Sequence, residues 1–125
     1  MNTFSILLRV SSANHTFGAI KKALGVAPDS DSQARQCWQL TPKSGQGFPR
    51  RMRALMKMLP EDFADRLMSL KGARGVVSIA LSSADSIASL HISRSVLSAI
   101  VGRGLAIEVV VITPLIEPKS RHFAA

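Results

Sequence analysis

Residues 4–10 read Phe4-Ser5-Ile6-Leu7-Leu8-Arg9-Val10, and their alternation decides the architecture. Phe4, Ile6, Leu8 and Val10 fall on one side and Ser5, Leu7 and Arg9 on the other, the period-two pattern of a strand buried on one face. Three further stretches repeat it. Gln36–Thr41 sets Trp38 and Leu40 on one face. Val76–Ser82 sets Val77, Ile79 and Leu81 against Ser78, Ala80 and Ser82. Ala106–Thr113 is the most hydrophobic of the four, broken only by Glu108 and ended by Pro114. The second face of these strands holds Arg9, Gln39, Ser78 and Glu108, whereas a doubly wound parallel sheet is apolar on both faces. The pattern therefore predicts an α+β fold in two layers: a mainly antiparallel or mixed four-stranded sheet with three or four helices on one face.

The segments between the strands carry helical punctuation. Thr16 is placed to cap a helix in which Phe17, Ile20 and Leu24 share a face, with Gly25 as its stop. Residues 26–35 are rich in Pro, Asp and Ser and read as loop. From Pro49, the residues Met52, Leu55, Met56 and Leu59 keep a helical spacing, while Arg50, Arg53 and Lys57 occupy another side. Pro60 either kinks this helix or opens a second one through Phe63, Leu67 and Leu70, after which Gly72 and Gly75 close the helical region. Following a Ser-rich loop, Ser93 caps a helix carrying Val96, Leu97, Ile100 and Val101, which Gly102 and Gly104 stop.

The 125 residues suit one core, so residues 1–116 are expected to form a single α+β domain and 117–125 a flexible tail. Apolar residues make up 46% and charged residues 19%, the balance of a folded globule and not of a disordered segment. Arg9, Arg103 and Glu108 interrupt the most hydrophobic runs, and none approaches the roughly 20 residues of a membrane span. The first ten residues lack a signal peptide's basic and long apolar regions. The one cysteine, Cys37, forms no internal disulfide framework. Together these features predict a cytoplasmic protein with no membrane partner.

No catalytic apparatus is visible. His15, His91, His122 and Cys37 form no short metal-ligand spacing. No serine sits in a G-x-S-x-G elbow, and no carboxylate pair suggests acid and base roles. Gly45-Gln46-Gly47 and Gly102-Arg103-Gly104 match neither a phosphate loop nor a dinucleotide fingerprint. No cofactor is expected.

Sixteen Lys and Arg against eight Asp and Glu give a net charge of +8, a field that favours acidic partners. Its most uneven stretch runs from Lys43 to Lys57, where Lys43, Arg50, Arg51, Arg53 and Lys57 occur without one acidic residue. A solvated helix face is the bland explanation. The functional one uses the planar guanidinium fork to reach carboxylates or phosphates. Arg9, on the second sheet face, is a further candidate. Nucleic acid bound by residues 43–57 is the alternative partner, but the chain has no Tyr, and Phe4, Phe17, Phe63 and Trp38 occupy core positions in the pattern and are not free to stack on bases.

Phe4–Val10, then Leu24-Gly25-Val26-Ala27-Pro28, then Trp38-Gln39-Leu40, and finally Leu90-His91-Ile92-Ser93 leading to Leu97 and the last strand, resemble the bacterial domain-of-unknown-function family forty-two seventy-nine. The resemblance spans roughly residues 4–113. It implies a cytoplasmic immunity protein that neutralises a cognate toxin by direct binding, and it brings no catalytic motif. The chain departs from the pattern in lacking a glycine between Pro28 and Gln36 and in the basic charge of residues 43–57. The resemblance therefore assigns no partner surface.

Overall fold

The structure is a computed structural model that describes residues 2–42, 47–83 and 91–112. Within them the chain runs β1 (Asn2–Ser11), α1 (Phe17–Leu24), α2 (Ser32–Arg35), β2 (Trp38–Leu40) and α3 (Phe48–Lys57). It continues through α4 (Phe63–Met68), β3 (Arg74–Ser83), α5 (Arg94–Gly102) and β4 (Ala106–Ile112). The four strands form one mixed sheet in the order β2-β1-β3-β4, so the class is α+β as the alternation predicts. β1 is antiparallel to both its neighbours, and β3 and β4 are parallel, with α5 in the crossover that a parallel pair requires.

The register carries the alternation of β1 across the sheet. Leu8 lies opposite Leu40 on one side and Val77 on the other, and Arg9 opposite Gln39 and Val76. The row containing Leu8 is sealed: Ile6, Val10, Trp38, Leu40, Val77 and Ile79 are all buried. They share one core with Phe17, Ile20 and Leu24 of α1, Met52, Leu55 and Met56 of α3, Phe63 and Leu67 of α4, and Val96 and Ile100 of α5. Full burial of one such side chain contributes about 1.5–3 kcal/mol. The row containing Arg9 stays half-exposed. There Arg9 and Glu108 approach to 3.9 Å with both side chains well exposed, a pair that adds about 0–1 kcal/mol. Glu108 also accepts a hydrogen bond from Ser78.

Helix α1 forms as its punctuation predicts. The Thr16 hydroxyl accepts from the Ala19 N–H, and Gly25 adopts a left-handed conformation (φ 69°) that lets its N–H reach the Lys21 carbonyl. At Pro60 the chain opens a second helix instead of bending the first: α3 ends by Lys57 and α4 begins at Phe63. Phe63 and Leu67 are buried, and the Phe63 ring lies 6.4 Å from that of Trp38.

Four details depart from the sequence pattern. The polar segment 26–35 is not all loop: Ser32–Arg35 forms a single helical turn, which makes five helices among the described residues. This turn buries Ser32, whose hydroxyl donates to the Gln39 carbonyl and accepts from the Gln39 N–H. Asp29 adds a bond from its own N–H to the Gln39 carbonyl and one from the Thr41 N–H to its carboxylate, so the outer edge of β2 is closed by its own preceding loop. Second, α3 begins one residue before Pro49, with Phe48 buried as its first residue. Third, Leu97 and Val101 of α5 are exposed, because the helix buries only the flank bearing Val96 and Ile100. Fourth, β4, the most hydrophobic strand, is the edge strand, and Val109, Val110 and Val111 are each about half exposed. The Ser-rich loop 84–90 and the tail 117–125 lie outside the described residues. No helix among the described residues is long and apolar enough to cross a membrane.

Gly75 is not a helix stop. It sits inside β3 opposite Val10, and a Cβ there would run into Leu105 Cδ2 and crowd Leu67 Cδ2. Gly18, in α1, has open space around it. Urea denaturation should therefore show Gly75→Ala destabilised by about 1–3 kcal/mol through overpacking. Gly18→Ala should be stabilised by about 0.4–1 kcal/mol through reduced freedom of the unfolded chain.

Candidate functional site

Helix α3 is built from two opposed faces. Pro49 in its first turn has the φ that helix entry needs, and the preceding Gly47 takes a positive φ of 81° that a side chain would strain. Met52, Leu55 and Met56 then turn inward and are buried. At roughly 100° per residue, Arg50, Arg53 and Lys57 fall on one narrow outward stripe, and all three are exposed. Among the described residues no carboxylate lies within ion-pair distance of these three.

The five cations of the Lys43–Lys57 stretch do not act as one group. Arg51 sits about a quarter turn from the stripe, half-buried, with its guanidinium 5.0 Å above the Phe4 ring. Phe4 in turn meets Phe48 edge-on at 5.8 Å, so Arg51 covers one ring of an aromatic pair at the edge of the core. Lys43 lies outside the described residues. Arg9 belongs to the other side of the sheet: it is five residues from Phe4 along β1, and its partner there is Glu108.

The stripe borders a feature that no spacing in the chain announces. Between α3 and α5 lies a cleft of about 210 Å³, lined by Met52, Arg53, Met56, Lys57, Ser95, Val96, Ala99 and Arg103. Its floor is apolar, made from the two methionines, Val96 and Ala99. Its rim is cationic: Arg53 and Lys57 rise from α3, and Arg103 stands at the C-terminal end of α5, held by a hydrogen bond from its Nη1 to the Ala99 carbonyl. The Nε of Arg103 is buried without a hydrogen-bond partner. Among the described residues the cleft has no acidic lining residue. The sequence signal that could have found it is the pair of small residues Ser95 and Ala99, one turn apart on α5, which leaves room opposite two flexible methionines.

The remaining candidates resolve into local structure. His15 Nδ1 lies 2.9 Å from the Ser12 hydroxyl in the turn that enters α1. Cys37 is half-buried beside Gln39, whose amide approaches Sγ at 3.7 Å. Among the described residues there is no cluster of three or more His, Cys, Asp or Glu side chains that could hold a metal ion. A second hollow, lined by Ala27, Pro28, Asp29, Ser30, Asp31, Leu40 and Thr41, is the acidic loop that closes the β2 edge.

Compared with models of protein families, with curated proteins and with solved structures, the chain matches none of them. The candidate surface is therefore described from the chain's own residues. The division of labour on α3 is directly measurable: Arg51→Ala, which uncovers the Phe4 ring, should lower stability by about 0.5–1 kcal/mol. Arg50→Ala, on the open stripe, should change it by less than about 0.5 kcal/mol in the same denaturation assay.

Proposed function

We propose that this chain is a non-catalytic protein-binding module that meets an acidic surface of its partner with Arg50, Arg53 and Lys57 of α3. What supports this most is the stripe itself: three exposed cations on one face of a helix whose other face is fixed in the core, with no described carboxylate paired to them. Such a surface raises the rate of encounter with an acidic partner and sets its orientation. On the family resemblance, that partner is a cognate bacterial toxin, and the chain acts in the cytoplasm as an immunity protein that blocks it by direct binding.

Protein is favoured over nucleic acid by the fate of the aromatic rings. Trp38, Phe17, Phe48 and Phe63 are buried, and Phe4 is covered by Arg51, so no described Phe or Trp ring is presented for stacking on bases.

The test compares the wild-type chain with the variant Arg50→Glu, Arg53→Glu, Lys57→Glu, each tagged and incubated with nuclease-treated lysate of the source organism. Quantitative mass spectrometry should find one acidic protein enriched on the wild type and reduced at least about tenfold on the variant, the equivalent of about 1.4 kcal/mol. Equal enrichment on both would refute the assigned surface. Filter binding of the wild type to short RNA and DNA, if it gave an affinity falling steeply with salt, would transfer the stripe to nucleic acid instead.

A further inference from the structure

The cleft between α3 and α5 adds a second kind of recognition to the charged stripe. We propose that it is an anchor site for a single bulky apolar side chain projecting from an acidic amphipathic helix of the partner, with carboxylates flanking that side chain. The inference rests on the protein-binding role assigned to α3 and goes beyond it, because it specifies the shape and chemistry of the partner's segment.

Size excludes the obvious alternative. At about 210 Å³ the cleft falls below the roughly 300–1,000 Å³ of sites that enclose a drug-sized ligand. It suits one side chain pressed in from a larger partner, which is how interface anchors bind. The floor is adaptable, because Met52 and Met56 are unbranched and polarisable and repack around different shapes. Val96 and Ala99 complete an apolar base on which an aliphatic or aromatic group loses its water.

Charge fixes the surroundings of the anchor. Arg53 and Lys57 line one wall and Arg103 the other, with no described carboxylate paired to any of them. An apolar side chain entering this cleft therefore passes cations on both sides, and acidic residues one helical turn before and after it would meet them. A lysine or arginine in those positions would be repelled, which gives the site selectivity as well as affinity. Two helices forming the walls and a short apolar floor between them match the groove geometry that receives an amphipathic helix.

The test uses two fluorescein-labelled helical peptides of about fourteen residues, long enough to lie along α3 at about 1.5 Å per residue. Both consist of Glu and Ala, one with a central Leu and one with Ser in its place. Fluorescence anisotropy should give at least about tenfold tighter binding for the Leu peptide, the effect of burying one aliphatic side chain. Ser95→Trp, which fills the cleft from its exposed rim, should erase the preference. With methyl-labelled methionine in the wild-type chain, the Leu peptide should shift the Met52 and Met56 methyl resonances and leave that of the exposed Met68 unmoved.

Equal affinity for the two peptides, lost for both on Arg53→Glu with Lys57→Glu, would overturn the anchor site while leaving the charged stripe as the binding surface. Binding that shifts neither Met52 nor Met56 would do the same. Failure of both peptides to bind would overturn both assignments.

Discussion

Everything in this fold depends on the burial of one face of β1. Its residues Ile6, Leu8 and Val10 are buried in one core with residues of the helices, and β1 is paired on both edges, to β2 on one side and β3 on the other. Its register transfers the same division into inward and outward rows to both neighbours. A shift of one residue would send Ser5, Leu7 and Arg9 into the core and expose the row that now holds Leu8, so the pairing is fixed by hydrophobic burial and not by turn geometry. Helices α1, α3, α4 and α5 contribute apolar residues to the same core, which also contains Trp38 of β2.

Helix α3 shows how that constraint leaves a surface available for recognition. Met52, Leu55 and Met56 hold the helix in the core, and Arg51 covers the Phe4 ring at the edge of that core. The opposite stripe makes no described contribution to packing. It also carries a local penalty: Arg53 and Lys57 are four residues apart and Arg50 and Arg53 three, spacings at which like charges repel by roughly 0.2–0.5 kcal/mol per pair. A stripe that carries this repulsion and has no ion pair among the described residues is the kind of feature retained for a partner, since selection for folding alone would dilute it. Beside it, Ser95 and Ala99 keep α5 from filling the space over Met52 and Met56, and Arg103 adds a third cation across the opening.

Much of the fold was legible because alternation and capping are local signals. The four strands, the Thr16 and Ser93 caps, the Gly25 stop and the break at Pro60 all follow from spacings of a few residues. Long-range geometry was not legible. Nothing near Ser32 says that its hydroxyl will meet both backbone groups of Gln39, because that contact is made only when a one-turn helix folds back on β2. Gly75 looks like punctuation until β3 places it among Val10, Leu67 and Leu105. The hydrophobicity of β4 does not reveal its place in the sheet, which strand order puts at the edge. For the same reason the cationic stripe could be read from Arg50, Arg53 and Lys57, whereas the cleft needed α5 to be brought against α3.

The central claim is that the cations of α3 are kept for binding and against stability. The most direct measurement is the unfolding free energy, by urea denaturation, of Arg53→Gln with Lys57→Gln, a change that keeps helix propensity nearly constant while removing both charges. If the stripe has no structural role, the double variant should match the wild type or exceed its stability by up to about 0.5 kcal/mol. A loss of more than about 1 kcal/mol, the size of an ordinary intramolecular hydrogen bond, would mean that these side chains hold the fold together and would contradict the account.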